Sequence, residues 1–180
     1  MIVVSNASPF RYLVLVDAVH ILPRLFGDVV IPPVVQFELT RARTPQPVRD
    51  FMASPPRWLK VQAPTIVDST LKVHVGEAQA ILLAKELKAA RLLIDDRKAI
   101  EAAQARGVKT TRTAALLVLA AEQGLIDLKS TFDRLKQSNF RVPPEKLDEI
   151  LHDFNRQQSQ ASKPSRKQQV KPDHGPEHER

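Results

Sequence analysis

Three short apolar runs, Ile2–Ser5, Val29–Ile31 and Leu92–Ile94, constrain the fold of this chain more than any other feature. They are built from branched aliphatic and leucine side chains with little polar alternation, the pattern of parallel strands buried on both faces. Each breaks off where a helix can start: the first at Asn6 and Pro9, the second at Pro32-Pro33, the third at Asp95-Asp96. Ser8-Pro9 supplies an N-cap candidate and a proline for a first helical turn. Leu13, Leu15, Val16, Val19 and His20 then repeat at helical spacing, up to a break expected near Pro23.

The alternation continues along the chain. Val34–Thr40 reads as a helix carrying Glu38, Val48–Ala53 as a shorter helix among prolines, and Trp58–Gln62 as an exposed or edge strand. From Gly76 a stretch of strong helix formers carries Glu77 in its first turn, where a carboxylate suits the helix dipole. Arg97–Arg106 reads as a helix closed by Gly107, Val108–Thr110 as a short strand, and Thr113–Gln123 as an apolar helix ended by Gly124. Ser130–Ser138 and Glu145–Phe154 complete the body as amphipathic helices. Strands alternating with helices predict an α/β sandwich around a mostly parallel sheet.

The chain has 180 residues, enough for one domain with a tail. Residues 1–155 are expected to form the domain. Residues 156–180, rich in Gln, Ser, Lys and Pro, are expected to be a disordered basic tail. No run approaches the roughly 20 apolar residues of a membrane helix, and the start lacks the layout of a secretory signal. A soluble, cytoplasmic protein with no membrane partner is therefore expected. The absence of cysteine excludes disulfides, thiolate metal sites and cysteine nucleophiles, so any metal ligands must be oxygen or imidazole. The net charge of +7 divides into +4 for the body and +3 for the tail, compatible with a polyanionic partner.

In open parallel sheets, sites form beyond the carboxyl ends of the strands. Asn6, Asp95 and Asp96 occupy that place, while Glu38 and Glu77 sit on early helical turns that reach over the same edge. Brought together, the five would make an acidic pocket suited to a hard divalent ion such as Mg²⁺ or Mn²⁺. Each has a plainer reading too. Glu38 fits a solvated helix carboxylate, Glu77 a dipole residue, and Asp96 a cap on the amides of Arg97–Ala99. His20, His74 and His152 read as ordinary surface or helix residues.

The segments Val3-Val4-Ser5-Asn6-Ala7-Ser8-Pro9, Ile31-Pro32-Pro33-Val34, Gly76-Glu77-Ala78 and Leu93-Ile94-Asp95-Asp96-Arg97-Lys98-Ala99 resemble those of the PIN domain superfamily. More narrowly they resemble its DUF3368 branch, related to VapC-type toxins, over about residues 1–150. The resemblance implies a Rossmann-like three-layer α/β/α fold, often a homodimer, with an acidic cluster that binds Mg²⁺ or Mn²⁺ and cleaves RNA. The four acidic positions of the family fall on Asn6, Glu38, Glu77 and the Asp95/Asp96 pair. Ser8 matches a hydroxyl beside the first position, and Thr113 a comparable polar place. Arg97, Lys98 and Arg112 are the expected contacts to the RNA backbone, with a solvated helix start as the alternative. A toxin of this kind would have a small antitoxin as partner.

Asn6 departs from the family pattern, which usually has Asp there. A neutral amide lowers the charge available to hold an ion. Two functions follow as expectations: a divalent-metal-dependent endoribonuclease with Glu38, Glu77, Asp95 and Asp96 as its acidic machinery, or a weak or inactive PIN-like module that binds RNA or a protein. A phosphoacceptor receiver domain fits less well, because the acidic doublet of receivers follows the first strand.

Overall fold

The computed structural model describes residues 1–161. Five parallel strands form one sheet in the order β3-β2-β1-β4-β5: β1 Val3–Ser5, β2 Val29–Ile31, β3 Leu59–Val61, β4 Arg91–Leu93 and β5 Thr110–Thr111. In β1, Val3 pairs with Val29 on one side and Arg91 on the other, and Val4 with Val30 and Leu92. Alternate side chains point to opposite faces, and both faces are covered. Val3, Val29, Ile31 and Leu93 join one core with α1 (Ala7–Leu15), α2 (Ile21–Phe26), α3 (Pro33–Thr40), α4 (Gln46–Ala53), α7 (Thr113–Glu122), α8 (Leu128–Gln137) and α9 (Pro144–Ala161). Val4, Val30, Leu92 and Ile94 join a second core with α5 (Val75–Glu86) and α6 (Arg97–Gln104). This is the parallel α/β sandwich that the alternation predicts, in the three-layer α/β/α form that the family resemblance implies. β3 lies at its edge, with Val61 43% exposed.

Four helices end in the same way, with a residue at positive φ whose amide, and that of its successor, return to the last turn. At α6 and α7 the residues are Gly107 and Gly124, as the sequence predicts. At α1 and α5 they are Asp17 (φ 58°) and Lys88 (φ 48°), which carry a Cβ into a region that suits glycine better. The predicted break near Pro23 therefore falls earlier, at Asp17, and Pro23 sits in the first turn of α2, where its missing N–H breaks no helical bond. Pro9 is accommodated in the same way in α1, with Asn6 rather than Ser8 at the N-cap position.

Helix α9 runs to Ala161, past the predicted end at Phe154, so the first residues of the expected tail are helical. The rest of that tail, 162–180, lies outside the described residues. No helix among the described residues is long and apolar enough to cross a membrane.

The exposed Lys88 holds its left-handed conformation without a side-chain hydrogen bond or ion pair among the described residues. Lys88→Gly is expected to stabilise the fold by about 0.5–1 kcal/mol in equilibrium urea unfolding.

Candidate active site

The strand order reverses between β1 and β4, and the chain leaves both strands toward the same edge. Such a switch point opens a crevice past the strand ends. Asn6 follows β1 directly, and its backbone N–H donates to Leu93 O of β4 at 2.9 Å. It occupies the N-cap position of α1, yet its side chain makes no capping bond. The residue is only 6% exposed, and its Oδ1 has no hydrogen-bond donor.

Asp95 follows β4. Its carboxylate accepts from the backbone N–H of Thr113 (2.8 Å), the Thr113 hydroxyl (2.7 Å) and, more weakly, the Ser8 hydroxyl (3.5 Å). Burial pushes the Asp95 carboxyl above its ordinary range, and the Thr113 bonds, the Arg112 charge and Ser8 offset only part of the shift. Its neighbour Asp96 is exposed and caps α6 by accepting from Ala99 N–H at 2.9 Å.

Glu38 reaches across from α3. Its Oε1 is buried without a hydrogen-bond donor and lies 3.3 Å from His74 Nδ1. It also presses against Gly76: a Cβ there would stand 2.8 Å from Glu38 Oε1, so glycine makes room for the carboxylate. Glu77 lies in the first turn of α5 and accepts from the His74 backbone N–H at 3.1 Å in a capping box. Burial raises the Glu77 carboxyl, the His74 N–H pulls it back, and the charges of Asp96 and Glu38 raise it further. The loop before His74 is pinned twice, by Thr65 to Glu86 of α5 (2.8 Å) and by Asp68 to Arg106 (2.8 Å).

Asn6, Ser8, Glu38 and Glu77 thus line one pocket of about 330 Å³, shared with His74 and with Arg11, Arg41 and Arg43. Asp95 and Asp96 are not among the residues that line it, but they adjoin it: Asp95, held by Thr113, also accepts from the pocket residue Ser8, and Asp96, which caps α6, acts through its charge on Glu77. Among the described residues, no three His, Asp or Glu side chains are gathered closely enough to cage an ion. The site still fits a hard cation in one respect. Two of its lining residues, Asn6 and Glu38, each carry a buried acceptor oxygen, Oδ1 and Oε1, with no donor to meet it.

The basic residues that line the pocket are others than Arg97, Lys98 and Arg112. Arg97 is exposed and pairs with Glu101 (2.9 Å), Lys98 is exposed, and Arg112 stands near Asp95 at the start of α7. Arg11, Arg41 and Arg43 line the pocket instead, with Arg41 set 4.7 Å over the Phe37 ring. The sequence carried a signal for two of these residues: Arg41 follows Glu38 by three positions, and His74 precedes Glu77 by the spacing of a capping box.

The family model described as PIN domain matches residues 2–156, almost all of the described chain. The chain belongs to the PIN domain family. A solved PilT N-terminus domain protein from the hyperthermophilic archaeon Sulfolobus solfataricus P2 shares the fold at 19% identity with a TM-score of 0.51, covering 68% of this chain and 95% of that one. No curated protein matches the chain. The PIN fold explains why Asn6 and Asp95 come to adjacent strand ends although 89 positions separate them in sequence.

Two consequences of this PIN site can be measured. An acid whose folded pKa is raised contributes stability that is present below its unfolded value and lost as pH rises through the folded one. Asp95→Asn is therefore expected to raise Tm at pH 7 and to have little effect near pH 3. Gly76→Ala should keep Tm close to that of the parent, since the clash is with the end of a flexible side chain.

Proposed function

We propose that this PIN domain is a divalent-metal-dependent endoribonuclease of the toxin–antitoxin kind, cutting RNA phosphodiesters at the pocket beyond β1 and β4. The observation that carries the reading is the pair of donorless buried oxygens, Asn6 Oδ1 and Glu38 Oε1. Leaving a buried acceptor unpaired costs about 1–3 kcal/mol, and coordination to a hard cation is one way to meet it.

When bound, Mg²⁺ or Mn²⁺ supplies positive charge against the phosphate and makes a water more acidic. Asn6 and Glu38 would hold it, with Glu77 within reach. Glu77, whose proton affinity burial raises, is suited to take a proton from the attacking water. Asp95, fixed by Thr113, holds the Ser8 hydroxyl at the pocket wall. Arg11, Arg41 and Arg43 offer three cations to the RNA backbone from the same pocket. An antitoxin segment laid over the cleft, a homodimer and action in the cytoplasm belong to the proposal on the family resemblance.

One observation favours a second reading, an RNA- or protein-binding module of little activity. Position 6 offers a neutral amide, and both aspartates are already engaged in hydrogen bonds.

Incubation of a mixed-sequence single-stranded RNA with the purified protein and Mg²⁺, Mn²⁺ or EDTA separates the two. The nuclease reading expects metal-dependent cleavage, reduced by about 10²-fold or more in Glu38→Gln and Glu77→Gln. A silent parent chain whose Asn6→Asp variant cuts would establish the binding module instead. Arg41→Ala and Arg43→Ala are each expected to weaken RNA binding across sequences and to lower the salt slope of log K by about 1.

A further inference from the structure

Among the described residues, Phe37 is the one aromatic side chain that the fold leaves largely in water. It is 60% exposed, whereas the other phenylalanines, the tyrosine and the tryptophan are buried or half-buried. A single apolar side chain on a surface is ordinary. The setting of this one is not. Phe37 lies on α3 immediately before Glu38, which lines the pocket, and Arg41, another lining residue four positions on, sets its guanidinium carbon 4.7 Å from the centre of the ring. The N–H groups of that guanidinium make no hydrogen bond or ion pair among the described residues. Beside the pocket, an open aromatic ring and an unengaged planar cation are therefore in contact. The end of α3 that carries both is tied down. The Thr40 hydroxyl donates to Phe37 O at 3.1 Å, the Thr44 hydroxyl to Glu38 O at 2.8 Å, and Thr44 N–H to Arg41 O at 2.9 Å. Less ordering entropy is lost when a ligand settles on groups mounted this way.

On the RNA-binding reading above, we propose that Phe37, backed by Arg41, is a base-stacking platform that holds an unpaired nucleobase next to the phosphate met by the pocket arginines. A nucleotide carries what this pair is suited to meet, a flat π face and an anion. The ring stacks on any base, and a guanidinium stacks through its plane while donating to phosphate oxygens from its edge. Apolar area alone would suit a protein segment equally well. The cations decide for a nucleotide, since Arg11, Arg41 and Arg43 all line the adjoining pocket. A base inside a duplex has both faces covered by its neighbours, so the platform takes one that is splayed out of the stack. Phe37 is on this account a positioning residue. It sets where the strand lies relative to Glu38 and leaves the identity of the base unread, because stacking tolerates every base.

Titration of the full-length protein into a fluorescein-labelled single-stranded oligoribonucleotide in EDTA, followed by anisotropy, reads binding without cleavage. Phe37→Ala is expected to weaken binding by about tenfold or more. Phe37→Leu, which keeps apolar bulk without a π face, should lose as much, and Phe37→Trp should bind at least as tightly as the parent chain. All three should keep the parent Tm, because the side chain is exposed. The slope of log K against log salt should stay at the parent value in Phe37→Ala, since no phosphate contact is removed. An abasic ribose-phosphate strand of the same length should bind the parent chain and Phe37→Ala alike. RNA affinity unchanged in Phe37→Ala, or kept by Phe37→Leu as well as by Phe37→Trp, would overturn the inference and leave the nuclease reading intact. Light scattering that shows a parent dimer split by Phe37→Ala would also overturn it, assigning the ring to a contact between copies of the chain. Phe37-dependent binding by a protein that cuts no RNA with Mg²⁺ or Mn²⁺ would uphold the inference and remove the nuclease reading. No RNA binding by the parent chain would end both.

Discussion

Strand β1 is paired along both edges and buried on both faces, and the other elements take their places from it. Val3 and Val4 are fully buried, one in each of the two cores. A three-residue strand cannot hold a sheet by its own hydrogen bonds. What keeps it in place is apolar burial on each side, on the order of 1.5–3 kcal/mol for each fully buried valine. With β2 on one flank and β4 on the other, the sheet must reverse its order there, and the crevice beyond the reversal is where Asn6 and Asp95 emerge. The site is thus a by-product of the way the core closes.

Inside that crevice, acidic and basic groups are interleaved more closely than the sequence suggests. Glu38 and Glu77 share their pocket with three arginines and a histidine. Burial raises the cost of charge on Glu77 and Asp95, and the hydrogen bonds from His74 and Thr113 offset part of it. On the proposed function, such balance suits a site that receives a polyanion without a permanent excess of either charge.

Much of the architecture was legible in the sequence because apolar runs of this kind have few uses other than buried parallel strands. Gly107 and Gly124 marked helix ends because left-handed residues are most often glycine; Asp17 and Lys88 adopt the same conformation without that mark and went unread. Asn6, Glu38 and Glu77, which line one pocket, are marked in the sequence by their places after strands or in first turns. Whether Asp95 or Asp96 turns toward the crevice depends on partners 18 and 3 residues away, Thr113 and Ala99, which spacing alone does not rank. The pocket arginines were missed for a related reason. Arg41 and Arg43 follow the end of α3, so their direction is set by where that helix stops.

The brevity of the strands bears on how stability and chemistry are linked. At about 3.3 Å per residue, a three-residue strand is about 10 Å long, so the two ends of the strands are hardly a nanometre apart. Lys88 at one end of the β4 segment and Asp95 at the other are joined by a single short span of chain. No thick β-core separates the turns that feed the strands from the crevice they open into. The helix ends that precede the strands and the crevice residues that follow them are therefore parts of one thin layer, separated by little more than the length of the strands themselves.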